Sequence, residues 1–331
     1  MAQTTLKSTV FRKEREGKWQ ALEQLVNRVE KHGIRELSSD ETLKLQSLYR
    51  VALSSLSVAR NISLDQSALV YLEALSARAY FCVYGPRTKF LTELLSFFLH
   101  KFPAAVRDLK WPIFLSALTL IAGMGTGYAM IIMEPDWFYA FVSDAMAAGR
   151  TPTSPADELR AGLFTTHSSV KEYLHVFASF LFTHNAKIGF LAFALGFAFG
   201  IPTVLLLFSN GLSLGAFTAL FVNKGLSVEF VGWLSIHGTT ELLAVILCGG
   251  AGLAIGGAAI FPGRQTRLDS LTFQGRKSGL VVVGTVVMFF AAGILEGFGR
   301  QLIVETTDRY LIGGVAVLIW ATYFMTFGRK S

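Results

Sequence analysis

Charge is what this chain is short of. Only 16% of its 331 residues are Asp, Glu, Lys or Arg, against about 25% in ordinary globular domains. With 52% hydrophobic residues and a mean hydropathy of +0.48, a soluble globular class is excluded. Cysteine is scarce too: Cys82 and Cys248 form no CxxC pair, which excludes a disulfide framework or a zinc ribbon. The chain holds no Walker A loop, no GxSxG elbow, no GxGxxG after a strand and no HExxH. ATP-driven pumping by this chain alone, hydrolase chemistry of the nucleophile-elbow type and dinucleotide binding therefore have no support, and no cofactor is expected. The first 110 residues are polar and helical in pattern, so no cleavable signal peptide is expected either.

Long uncharged runs are what the chain has instead, and a run of about 20 apolar residues is long enough to cross a bilayer. Residues 111–133 form the first. The run 188–223 is too long for one helix, and Ser209-Asn210-Gly211 offers a turn because Asn and Gly tolerate positive φ. That divides it into a span near 187–208 and a short one at 211–223. Residues 230–261, 279–298 and 310–327 complete six.

Basic residues set the orientation. Residues 1–110 carry 17 Lys/Arg, the 134–172 loop has 3 basic and 6 acidic residues, Arg264, Arg267, Arg276 and Lys277 follow the fourth span, and Arg329-Lys330 end the chain. The positive-inside rule puts both termini in the cytoplasm, which requires an even number of crossings and so favours six. These basic residues sit beside spans and suit anionic lipid head groups, and no nucleic-acid partner is expected.

Residues 1–87 read as a cytoplasmic helical bundle. Trp19, Leu22, Leu25, Val26 and Val29 recur at helical spacing before a C-capping Gly33. Ser38-Ser39-Asp40-Glu41 offers a capping box before Leu43, Leu45, Leu48 and Val51, and Ser63-x-x-Gln66 another before Leu69, Leu72, Leu75 and Ala79, with Gly85-Pro86 as a stop. Residues 88–110 alternate Phe90, Leu94, Phe97, Phe98 and Phe102 with Lys89, Lys101 and Arg107, the pattern of an amphipathic interfacial helix. Residues 111–331 form the transmembrane domain. Its outer loop near 134–172 carries a belt-like Trp137-Phe138-Tyr139 and a Pro/Ser/Thr stretch at 151–155 read as a flexible link.

The ionisable residues inside the spans are the functional candidates. From 230 to 263 the only formal charge is Glu241, one helical turn after His237. An acid at that depth costs roughly 2.5 kcal/mol or more and faces protein or water. Glu296 stands alone in a later span, near its outer end, and reads as a solvated cap or a third member of the group. Three readings stay open: a hydrogen-bonded polar core, a conduction or proton path, and a metal site. The last lacks ligands unless Glu296 joins, since zinc takes three or four. Cys248 lies two turns from Glu241, and His184 near the outer end of the second span, both outside reach. Asn210 completes the candidate polar set. Five GxxxG pairs, at Gly123, Gly196, Gly211, Gly252 and Gly293 with their partners four residues on, argue for close helix packing and a homodimer.

Ser209-Asn210-Gly211 with Gly215, Ile236-His237-Gly238-Thr239-Thr240-Glu241-Leu242 running into 249–256, and Leu295-Glu296-Gly297-Phe298 together resemble the stage II sporulation protein M family. Phe11-Arg12, Arg15 and Trp19 with Leu48-Tyr49-Arg50 are similar to its longer, non-sporulating members. Ile236 replaces a Pro common in the family. The resemblance implies a membrane scaffold: the sporulation namesake recruits peptidoglycan hydrolases, and the longer members accompany an AAA+ ATPase and adhesion-type domains. The expected protein is therefore an all-α polytopic bundle in the bacterial inner membrane, a non-catalytic scaffold or assembly factor meeting envelope or peptidoglycan-associated proteins. A channel or secondary transporter through His237, Glu241 and Glu296 is the alternative, and an intramembrane metalloenzyme the second.

Overall fold

In the computed structural model, residues 2–61, 66–84, 90–164, 185–299 and 302–329 are described, and every regular element among them is helical. The chain separates into two compact units, Met1–Glu93 and Leu94–Ser331.

The first unit packs α1 (Ala2–His32), α2 (Ser39–Asn61) and α3 (Gln66–Tyr84). Its core is the apolar stripe of each helix: Trp19, Leu22, Leu25 and Val26 against Leu45, Tyr49 and Ala52, and Leu72, Leu75 and Ala79. Leu43, read as part of that stripe, is instead 65% exposed. The capping box at Ser38 forms in both directions. The Glu41 amide donates to Ser38 Oγ at 3.2 Å and the Ser38 amide to Glu41 Oε2 at 3.0 Å. That backbone donor and the Arg28 guanidinium, 2.6 Å from Glu41 Oε1, hold the Glu41 carboxyl below its ordinary range. Gly33 ends α1 at φ 85°, where a side chain would be strained. Ion pairs tie the helices together: Arg28–Glu41 joins α1 to α2, Arg60–Glu73 α2 to α3, and Arg78–Glu30 α3 to α1. The Ser63-x-x-Gln66 box and the Gly85-Pro86 stop fall largely on 62–65 and 85–89, outside the described residues, as does His184.

Chain entry to the apolar unit runs through α4 (Phe90–Ser96), a π turn (Phe97–Lys101) and α5 (Phe102–Asp108). Phe102 is buried among Phe97, Tyr323 and Phe324, and its ring fills the space a side chain at Gly284 would need. Arg107 donates to the Phe324 and Phe327 carbonyls at 2.7 and 2.6 Å, satisfying acceptors that a helix end leaves open.

Among the described residues, five helices are long and apolar enough to cross a membrane: α6 (Lys110–Met133), then, after the segment from 134 and a shorter apolar helix, α11 (Ile201–Asn223), α12 (Ser227–Ile260), α13 (Arg267–Ile294) and α14 (Thr306–Thr326). Between α6 and α11 lie the short α7 (Phe138–Phe141), α8 (Asp144–Ala147) and α9 (Ala156–Phe164), and the 13-residue α10 (Asn185–Phe197). The six apolar helices agree with about six spans, but the break in the long uncharged run lies elsewhere. The chain turns at Phe199 and Gly200, with φ of 59° and 76°, and Pro202 then sits in the first turn of α11. Asn210 and Gly211 lie inside that helix, so the short member is α10 rather than 211–223.

Glycine placement explains the helix pairing. A Cβ on Gly123 or Gly127 would strike the Phe208 or Leu212 carbonyl, and one on Gly211 or Gly215 the Leu120 or Met124 carbonyl, so α6 and α11 meet backbone to backbone. Gly196 and Gly200 meet Gly252 and Gly256 in the same way between α10 and α12. These GxxxG pairs are therefore occupied by contacts within one chain. Serine and threonine reinforce them: Ser116 donates to the Ile246 carbonyl at 2.9 Å, Thr203 to Ala192 at 2.7 Å and Ser278 to Ala251 at 3.0 Å. α12 sits at the centre, against α6, α10, α11, α13 and α14, while α14 buries little of its own surface and exposes Leu311, Val315, Leu318 and Met325.

The segment read as the outer loop, 134–164 among the described residues, is folded onto the helix ends. Phe138, Val142, Leu159 and Leu163 pack with Ile131, Phe221 and Phe230. Residues 151–155, read as a flexible link, form a bonded turn in which Ser154 Oγ donates to the Gly149 carbonyl and accepts from the Thr151 amide. Of the aromatic belt, Trp137 and Tyr139 are exposed, whereas Phe138 is fully buried.

Candidate functional site

The three ionisable residues singled out from the sequence converge. His237 and Glu241 share one face of α12, the i, i+4 relation that a helix dictates. Glu296 reaches them from the end of α13, where α-helical geometry gives way to a π turn at Leu295–Gly299. The extra residue in such a turn shifts the facing of the side chains that follow. Glu296 is consequently not a solvated cap: it is 3% exposed, beside His237 at 3% and Glu241 at 8%. His237 Nε2 stands 3.7 Å from Glu296 Oε1, and one donor atom from each of the three residues lies within 4.8 Å of the other two. This contact between α12 and the end of α13 is the condition on which a third ligand depended.

Asn185, the first described residue of α10, donates through Nδ2 to Glu241 Oε1 at 2.6 Å. Nothing in the spacing of the sequence marks it, because it stands at the polar edge of its run. The Trp233 ring, one turn before His237, meets the imidazole edge to face at 5.6 Å and 89°. One turn after His237 and three residues on, Thr240 accepts a hydrogen bond from Trp320 Nε1 at 3.0 Å, tying α14 to the same stretch of α12.

A cavity of about 190 Å³ opens against the cluster, lined by His237, Glu241 and Glu296 together with Asn185, Asn210 and Arg150. Asn210 thus belongs to the site as a wall residue on α11 rather than as a turn. Arg150 arrives from the outer segment. Its Nε and Nη2 donate to the Ala147 and Met146 carbonyls, each at 2.9 Å, and its guanidinium lies 5.0 Å over the Phe217 ring. Ser213 on α11, which donates to the Phe141 carbonyl at 2.7 Å, also lines the cavity and binds the outer segment to its wall. Cys248 lies away from the cluster, with Sγ 3.1 Å from Thr285 Oγ1. Among the described residues the site therefore offers one imidazole, two carboxylates, two amides, a guanidinium and the Ser213 hydroxyl in a mainly apolar surround.

Among the described residues, an all-helical bundle with five helices long and apolar enough to cross a membrane and a sixth, shorter apolar one, built around a central helix that carries a buried histidine–carboxylate cluster, defines a polytopic membrane protein. Its family follows from comparison. The family described as Stage II sporulation protein M matches residues 113–299, more than half of the chain, and the chain belongs to it. A second family, described as Domain of unknown function (DUF8413), matches residues 9–85, the three-helix unit. No curated protein and no solved structure gives a match.

Proposed function

We propose that this chain is a non-catalytic scaffold or assembly factor of a bacterial envelope complex, held in the inner membrane with both termini in the cytoplasm. The observation that carries this reading is the division of labour between its two units. The residues 9–85 unit has a core of its own and a surface of interhelical ion pairs, the character of a docking module. The apolar unit is an anchor whose glycine pairs close it backbone to backbone. Envelope or peptidoglycan-associated partners fit such a module, and a homodimer would use a face other than these glycine pairs, such as the exposed Leu311, Val315 and Leu318 of α14.

Purification of the full chain from its own membrane in mild detergent tests this directly. The scaffold reading expects co-migration with envelope proteins, lost when charge-reversing substitutions are placed on the exposed face of α1 and α3. Robust solute flux in proteoliposomes, abolished by Glu241→Gln, would overturn it. That outcome belongs to a channel or secondary transporter, which the cavity beside His237, Glu241 and Glu296 favours as the second reading.

A further inference from the structure

We propose that His237, Glu241 and Glu296 form a binding site for a divalent transition-metal ion of the zinc type, with a further coordination position open to the adjoining cavity. The inference goes beyond the scaffold reading and holds or fails independently of it.

Geometry comes first. Zinc bonds to histidine nitrogen and carboxylate oxygen at about 2.0–2.1 Å, so ligand atoms in a tetrahedral site lie about 3.3 Å apart. The His237–Glu296 separation of 3.7 Å is already close to that, and a spread of at most 4.8 Å among the three donors closes by rotation within the glutamate side chains. Zinc sites that react keep three protein ligands and leave a position for water. A cavity of about 190 Å³ beside the ligands has room for several waters, each occupying about 30 Å³.

Charge is the second argument. Ligands bind metal as carboxylates and a neutral imidazole. In that state the three ligands carry two negative charges deep in the bundle, beside a cavity wall whose polar groups include Asn185, Asn210 and the Arg150 guanidinium, at a cost that normally forces pairing or coordination. One divalent cation cancels both. Bound protons are the alternative neutralisation, and a metal ion that binds the three ligands would displace them.

The surroundings are the third. Metal-ligating carboxylates and histidines are held in place by outer groups. Asn185 holds Glu241 through Oε1, while the Trp233 ring packs edge to face on the imidazole. The donor set of one imidazole and two carboxylates suits zinc, manganese or ferrous iron, and the nitrogen disfavours magnesium and calcium, which prefer oxygen alone. A bound ion would also pin the π turn at the end of α13 onto α12.

The test uses the full chain, purified without chelators into nanodiscs, equilibrated in turn with Zn²⁺, Mn²⁺, Fe²⁺ and Mg²⁺, desalted, and measured by inductively coupled plasma mass spectrometry. About one tightly held ion per chain is expected with a transition metal and none with Mg²⁺. Glu296→Gln and His237→Asn should each abolish it, and Asn185→Ala should weaken affinity about 10- to 100-fold. Because the ligand variants could misfold, Co²⁺ loading of the wild-type chain supplies an independent readout: visible ligand-field bands that disappear on Zn²⁺ competition. Absence of stoichiometric metal from the wild-type chain under every condition would overturn the proposal. So would metal that survives both ligand substitutions in well-folded protein.

Discussion

Replacing Gly211 with alanine places a methyl group against the backbone of α6, and the consequence can be worked out atom by atom. The new Cβ would overlap the Leu120 carbonyl oxygen and lie 2.8 Å from the Met124 amide nitrogen and 3.0 Å from Gly123 Cα. All three neighbours are main-chain atoms, so no rotamer change relieves the clash and the two helices must move apart. Overpacking a tight interior costs typically about 1–3 kcal/mol, and a backbone obstacle places Gly211→Ala at the upper end, about 3 kcal/mol. Separation of α6 from α11 would also loosen the Gly123, Gly127 and Gly215 contacts along the same seam. At about 2–4 °C per kcal/mol for a domain of this size, the melting midpoint should fall by about 6–12 °C in a fixed detergent. Gly125→Ala is the control, since nothing lies within 4 Å of its added Cβ. There alanine relieves the helix-propensity cost of glycine, roughly 0.5–1 kcal/mol, and stability should hold or rise. Equal melting of Gly211→Ala and wild type, or a Gly125→Ala loss as large as that of Gly211→Ala, would refute the backbone-to-backbone account of this interface.

Three further outcomes follow from other parts of the chain. Ser38→Ala removes the N-terminal cap of α2 and should cost the three-helix unit about 1 kcal/mol, read from hydrogen-exchange rates of the first turn of α2. Burial, with the Glu23 carboxylate that accepts its hydrogen bond, pushes the Tyr71 phenol up to about 12 from an ordinary value near 10. The folded state holds this proton more tightly, so its stabilisation is complete below about pH 10 and drains away towards pH 12; Tyr71→Phe should flatten the alkaline loss of helicity in that interval. Arg309, fully buried, donates to the Ile303 carbonyl at 2.8 Å and the Leu163 carbonyl at 3.2 Å beneath the Phe164 ring. Arg309→Lys cannot reproduce that fork and should cost about 1.5–3 kcal/mol, with faster proteolysis of the outer segment as the readout.

Much of this architecture is legible because it rests on local rules. The apolar runs, the cap at Ser38 and the terminator at Gly33 each follow from a few adjacent residues. The break in the long uncharged run shows where locality misleads. Asn210-Gly211 has turn chemistry, yet a helix uses Gly211 to approach α6 and Asn210 to line a cavity, and neither demand is visible without the partner helix. The better signal was Gly200 followed by Pro202, a left-handed residue ahead of a helix-starting proline. Glu296 is the same lesson at the site. Its distance from the end of the run suggested water, but a π turn that no residue pattern announces redirects it to His237. Asn185 and Arg150 come from segments remote in the chain, and only the fold brings them to Glu241 and its cavity. Leu43 stands two residues before Leu45, a spacing that puts the two on opposite sides of the helix, so it is exposed where Leu45 is buried.

The most direct test of the account is a cryo-EM structure of the full chain in lipid nanodiscs, read at the end of α13. The account expects Glu296 buried within a side-chain contact of His237, Asn185 hydrogen-bonded to Glu241, and density for an ion among the three after equilibration with Zn²⁺. Glu296 directed to lipid head groups or bulk water, away from α12, would contradict it.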